Sequence, residues 1–235
     1  MNQQQKQEIL EKAKKFFKDI IVKNHIKNTK KLKKLKEFNV NPFLDKYLAT
    51  FVFGDICSEN IAKALIYPRV LSTSITTSFG SNMQNFCNET LSGFASVVSG
   101  IDIEFVDAID GRKKYCQIKS GPQTINKDDV TTIKNHFKDI KNLARTNRLP
   151  NFDAGRDCIV GVFYGQKQDL SQHYKEINEE YPVIIGVDFW HRLTGDEHFY
   201  DLLIGSFAEV ALEVNGTGII KETIDLLAAE IEANR

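Results

Sequence analysis

The residues best placed for chemistry lie in one segment, residues 100–122, which reads GIDIEFVDAIDGRKKYCQIKSGP. Alternation along a strand puts residues two apart on one face, so Gln117 and Lys119 point together while Ile118 turns the other way, into the core. Asp102 stands near the start of the preceding strand. Asp110-Gly111 is a hairpin-turn signal, and a two-residue turn there places Asp102 opposite the end of the second strand, beside Lys119. A carboxylate next to an ammonium at one sheet edge suits metal-assisted phosphodiester hydrolysis. The carboxylate, with a backbone carbonyl such as that of Ile118, supplies hard oxygen ligands for Mg2+. The cation would polarise the phosphate and stabilise the leaving oxygen. An ammonium near the attacking water favours hydroxide and supports the crowded phosphate. The plain alternative is an exposed cross-strand ion pair, which the two residue types alone do not exclude.

The elements that must hold these residues follow from periodicity. Residues 3–38 read as helix, with Ile9, Leu10, Ala13, Phe16, Phe17, Ile20 and Ile21 at helical spacing and a second Lys-rich stretch at Lys30–Phe38. Asn41-Pro42-Phe43 is a helix-start signal, and helical patterns continue over Leu44–Phe53 and Ser58–Leu71. The polar run Ser72–Ser78 with Gly80 reads as a loop, and Asn82–Val98 as a helix. At Gly100 the period changes to that of a strand pair, Ile101–Val106 and Lys113–Lys119. Asp128–Arg145 reads as an amphipathic helix, Cys158–Tyr164 as a buried strand, Leu170–Ile177 as a short helix and Val183–Val187 as a further buried strand. Asp188 is expected to cap a helical turn through Leu193. Two helices, Glu197–Val214 and Lys221–Ala233, then follow, separated by Gly216–Gly218. The order predicts a mixed α/β core flanked by helices, with helical extensions at both ends. By composition the chain divides into a Lys-rich arm (residues 1–40), a catalytic core (41–195) and C-terminal helices (196–235).

The formal net charge of zero over 235 residues conceals an asymmetry. Residues 1–38 carry twelve Lys against Glu8, Glu11, Asp19 and Glu37, a net of +8 balanced by −8 in the remainder. A basic arm on an acidic body fits an anionic partner, nucleic acid or a membrane surface, or simply a solvated helix. The four cysteines, Cys57, Cys87, Cys116 and Cys158, form no C-x-x-C pair and read as small core hydrophobes in a reducing compartment. The N-terminus lacks the apolar region of a signal peptide, and no apolar run reaches the roughly 18 residues of a span, so a cytoplasmic protein is expected. His136, His173, His191 and His198 show no ligand spacing. Trp190 reads as core, and Asp107, near the turn, as surface.

With these residues in view, the segment resembles the PD-(D/E)XK nuclease superfamily, in which an acid, a second acid and a lysine stand on adjacent strands. Asp102 matches the first acid and Lys119 the lysine, whereas Gln117 replaces the usual second acid. The resemblance implies a carboxylate supplied from elsewhere. Glu89, on the preceding helix, matches the additional helical acid of several restriction enzymes, and Glu104 is the other replacement. Asn41-Pro42-Phe43, Phe79-Gly80 as the start of a helix, Val160–Gly165 and Asp188-Phe189-Trp190 together look like a narrower family, the type II restriction endonucleases that cut GG-N-CC palindromes. That likeness covers roughly residues 40–210. It implies a restriction-endonuclease-like mixed-sheet core, Mg2+, double-stranded DNA and a homodimer held by helices.

DNA contacts are expected from the loops around the strand ends: Ser120, Gln123, Thr124, Asn126 and Lys127 after the lysine, Arg145, Arg148 and Arg156 about the next strand, and Gln166, Lys167 and Gln168 after it. Some would read base edges and others hold phosphates, with the Lys-rich arm adding salt-dependent affinity. A structure-selective or repair nuclease of the same superfamily, and a non-catalytic DNA-binding protein on a nuclease core, remain open beside the restriction enzyme.

Overall fold

A computed structural model describes residues 1–214 and 216–234, with Ser92 described by its backbone only. Asn215 and Arg235, within the expected C-terminal helical region, lie outside the described residues. The helices in chain order are α1 (Gln3–Phe16), α2 (Lys23–Lys31), α3 (Asp45–Phe53), α4 (Ser58–Pro68), α5 (Ser74–Ser81), α6 (Met83–Thr90), α7 (Lys127–Thr146), α8 (Ala154–Asp157), α9 (Gln172–Asn178), α10 (Val187–Thr194), α11 (Phe199–Glu213) and α12 (Gly216–Ala233). The strands are β1 (Ile103–Val106), β2 (Lys113–Lys119), β3 (Cys158–Val162) and β4 (Val183–Ile185). They form one mixed sheet in the order β1-β2-β3-β4, with β1 antiparallel to β2 and the other neighbours parallel. The expected α/β architecture, a mixed sheet flanked by helices with helical extensions, is what the chain adopts.

Two compact units interleave along the chain, one formed by residues 1–16 and 82–207, the other by 17–81 and 208–235. The first contains the whole sheet. On one sheet face, Tyr115, Val160, Val162, Val183 and Ile185 pack with Val130, Ile133, Phe137 and Ile140 of α7 and with Tyr174 and Ile177 of α9. The periodic apolar positions of α7 dictate this contact, and a capping box closes its start: Asn126 Oδ1 accepts the Asp128 and Asp129 N–H groups, while Asp129 Oδ2 accepts that of Asn126. Phe189 of α10 presses on Gly161, where a side chain would have no room. Fully buried Trp190 donates its indole N–H to Phe163 O at 3.0 Å, so it is a core residue. The second unit is helical, its core built from Ile61, Ala62, Ile66 and Val70 around α4, Leu32 and Ala49, and Ile224, Leu227 and Ile231 of α12.

Several boundaries differ from the periodic reading. The N-terminal helix passes through a π turn at Phe17–Val22 and α2 stops at Lys31, leaving only a short 3-10 turn, Leu35–Glu37, where a second helix was expected. Ser72–Ser78 is not a loop. A π turn (Arg69–Thr73) runs directly into α5, where Thr76 Oγ1 donates to Ser72 O at 2.8 Å and Ser78 is buried, so packing overrides a weak local preference. Phe79 and Gly80 consequently end a helix and do not start one. α6 stops at Thr90, well short of Val98, and a 3-10 turn follows at Ser92–Phe94. Gly186, not Asp188, precedes α10. Three cysteines are buried, but Cys57 is exposed ahead of α4.

Candidate active site

The β1–β2 connection is wider than a two-residue turn. The ladder ends at Val106↔Lys113 with Ile103 opposite Cys116, so residues 107–112 form the loop. Asp107 organises it and is wholly buried, not a surface residue. Its N–H donates to Arg112 O, its carbonyl accepts from Gly111 N, and its Oδ1 takes the Ile109 N–H. Arg192 Nη1 lies 2.6 Å from Asp107 Oδ2, while buried Lys114 reaches Asp110 Oδ2 at 2.6 Å and donates to Arg156 O at 2.9 Å. A charge that cannot reach water must be met by others in place, so this loop has one arrangement.

That loop changes how Asp102 arrives. Asp102 lies just ahead of β1, its N–H donating to Cys116 O at 3.0 Å. Its carboxylate Oδ2 accepts the Ile118 N–H at 2.7 Å, standing in for the backbone carbonyl that β1 no longer supplies. Asp102 therefore spans the backbone on both sides of Gln117, and is not the cross-strand neighbour of Lys119. Burial pushes the Asp102 carboxyl above the ordinary carboxylate range, opposed first by the Ile118 N–H and then by the charge of Lys119. The Oδ1 atom accepts no protein hydrogen bond among the described residues.

Gln117 and Lys119 both face α7. The Gln117 amide nitrogen bonds Gly100 O and lies 2.6 Å from His136 Nδ1. Its Oε1 is buried and has no hydrogen-bond partner among the described residues. The half-buried Lys119 Nζ stands 3.7 Å from Asp129 Oδ1. Asp129 and His136 were not singled out from the sequence. The Asn126-x-x-Asp129 capping spacing could have flagged the first, but nothing local marks a histidine that reaches the sheet from mid-helix.

The other candidates separate by position. Glu104 accepts from Ser96 Oγ at 2.6 Å and pairs with Lys113 at 2.6 Å, so its carboxylate is already engaged. Glu89 is exposed on α6, two residues beyond Cys87, whose buried thiol feels the Asp102 charge. Among the described residues no three His, Cys, Asp or Glu side chains gather as a metal-binding group. The oxygens on offer are instead one carboxylate, one orphaned amide oxygen and nearby carbonyls. A hard divalent cation that keeps water and substrate phosphate ligands fits such a set.

The carboxyl ends of β2 and β3 share one sheet edge with Lys119. The loops that leave it carry Ser120, Gln123, Thr124, Asn126, Lys127, Gln166 and Lys167. Of these, Asn126 is committed to its cap, and Thr124 Oγ1 bonds Gly121 O at 2.9 Å. Arg156 lies in α8, which leads into the start of β3, and Arg145 and Arg148 lie at or just beyond the carboxyl end of α7, so these three belong to the opposite end of the sheet from Lys119. They flank β3 at its start, because α7 returns antiparallel to the parallel strands it connects.

A small mixed sheet covered by helices, with helical extensions, is a restriction-endonuclease-like architecture. The family model of the type II restriction endonuclease EcoO109I matches residues 6–215. The chain belongs to that family and is a nuclease of the type II restriction endonuclease class. No individual curated protein matches it. No single helix among the described residues is long and apolar enough to cross a membrane.

Proposed function

We propose that this restriction endonuclease is a Mg2+-dependent homodimer of the PD-(D/E)XK type that hydrolyses both strands of duplex DNA at a GG-N-CC-like palindrome. The observation that carries the reading is the Asp102–Gln117–Lys119 edge: a desolvated carboxylate, an unpartnered amide oxygen and an ammonium within a few residues of one strand. Asp102 Oδ1, Gln117 Oε1 and the Ile118 carbonyl would hold the cation, with Glu89 of α6 the candidate for a further carboxylate. When bound, Mg2+ supplies charge neutralisation at the scissile phosphate and its leaving oxygen.

The protein's own groups do the rest. The Ile118 N–H fixes the Asp102 carboxylate so that no reorganisation is needed when charge develops. Lys119 presents its ammonium to the attacking water and to the phosphate oxygens, while Asp129 keeps that side chain aimed. The Ser120, Gln123, Lys127, Gln166 and Lys167 side chains ring the same edge and would divide between phosphate positioning and base reading. Lys-rich residues 1–40 would add sequence-independent attraction to the duplex.

Plasmid digestion in Mg2+ tests this directly. The wild-type protein should give discrete fragments, and Asp102→Ala and Lys119→Ala should each lower the cleavage rate by at least about 10²–10³-fold while still binding the same DNA fragment. Near-normal cutting by either variant would remove that residue from the site. Tight DNA binding without any cutting by the wild type would favour the non-catalytic reading, for which the glutamine at position 117 is the specific support.

A further inference from the structure

Gln117 sits between the two backbone groups that Asp102 holds, and its amide is clamped from the other side by Gly100 and His136. Gly100, with φ of +80°, turns the chain just ahead of Asp102, and its carbonyl accepts from the Gln117 amide nitrogen. The His136 ring lies directly over Gly100, so close that a side chain there would collide with it. His136 Nδ1 is 2.6 Å from the same amide nitrogen. A carbonyl can only accept, so the Gly100 contact must be made by the NH₂ end of the amide. The second N–H then has His136 Nδ1 as its acceptor, which places the imidazole proton on Nε2. With both amide protons used on that side, Oε1 is left on the other, Gln117 is buried to 6% exposure, and that oxygen has no partner among the described residues.

We infer that His136 is a positioning residue for the metal site: with Gly100 it locks the Gln117 amide so that the oxygen, and never the nitrogen, is presented beside Asp102. The inference rests on the proposed metal role of that edge. A glutamine free to flip would offer N–H groups to a cation half the time, whereas a clamped one acts as a fixed neutral ligand. Groups that orient a metal ligand typically contribute roughly 10–100-fold to metal affinity. The clamp is also why the missing acid need not disable the site.

The test is Mn2+ binding to the full-length protein by calorimetry, with unfolding curves recorded for every variant. His136→Ala should weaken Mn2+ binding by about 10-fold or more, and the Mg2+ concentration that half-saturates cleavage should rise to match while the rate at saturating metal stays near wild type. His136→Asn places an oxygen where Nδ1 was and should restore affinity to within about three-fold, roughly 0.65 kcal/mol. His136→Gln carries its amide at the Nε2 position and should not, which keeps the test open if the alanine variant fails to fold. Wild-type Mn2+ affinity in both His136→Ala and His136→Gln would overturn the inference while leaving the metal site standing. Unchanged affinity in Asp102→Ala, or no Mn2+ binding by the wild type, would instead overturn the metal site itself and the inference with it.

Discussion

At Asp102, function and stability pull in opposite directions. The carboxylate is taken partly out of water and receives one backbone N–H, with the Lys119 ammonium near but not in contact, and burial prevails: its folded-state pKa is raised. A raised carboxyl pKa means that folding favours the protonated form. Its contribution to stability is complete below the ordinary value near 3.8 and is lost as pH rises through the folded value. At neutral pH the ionised group is therefore a cost, one that a bound cation would relieve. Asp102→Asn keeps an oxygen for the Ile118 N–H and removes the charge. In EDTA at pH 7 it should be more stable than the wild type by about 0.5–2 kcal/mol, the difference vanishing below pH 4, while cleavage is lost. Thermal unfolding at the two pH values checks it, and equal stability at pH 7 would refute the cost. The residue types at this edge were legible from alternation and chemistry alone. The geometry around them was not, because Asp102 completes the sheet with its side chain, and because His136 and Asp129 arrive from a helix that is distant in sequence.

Among the elements, those with strong periodicity were legible and those set by packing were not. β2 has the boundaries expected from its sequence, Lys113–Lys119, and α7 extends only one residue beyond the expected range at each end, because an apolar stripe and a capping box act locally. α5 was hidden by a run of serines and threonines whose preference for loops is weaker than the helix they continue. The β1–β2 connection was misjudged for an electrostatic reason. Asp-Gly suggests a tight turn, but Asp107 is drawn wholly inside by Arg192 and the neighbouring Lys114, and the loop widens around it. The hairpin is consequently tied to α10, where Ala108 N also donates to Arg192 O. Arg192→Ala would leave a buried carboxylate without its direct ion partner, and such losses cost on the order of 3 kcal/mol. Urea unfolding should show that loss, with DNA cleavage at low temperature retained since the loop lies at the opposite end of β2 from Lys119. A change under 1 kcal/mol would mean that Lys114 alone can satisfy Asp107.

For the whole molecule, the unexplained surface is on α3 and the segment entering it. Phe43, Tyr47, Phe51 and Val52 are 87%, 57%, 74% and 60% exposed, and Tyr47 stacks on Phe51 with ring centroids 5.6 Å apart. Isolated apolar side chains at a surface need no explanation, but a contiguous aromatic strip does. The resemblance implied a dimer held by helices, and α3 carries the exposed aromatic strip, whereas α4 and α12 turn apolar side chains into the core of their own unit. A palindromic site is matched by a two-fold protein, and a two-fold contact is made by the same patch on both subunits. One substitution there therefore strikes the interface twice. Phe51→Lys, exposed and outside the core, should leave the fold intact yet shift sedimentation from the proposed dimer towards the 26.7 kDa chain. With one proposed Asp102–Lys119 site per chain, the monomer should nick supercoiled plasmid and let the open circle accumulate before linear product forms, whereas the proposed dimer would cut both strands in one encounter. A variant that still sediments as the wild type and linearises plasmid without a nicked intermediate would place the dimer contact elsewhere.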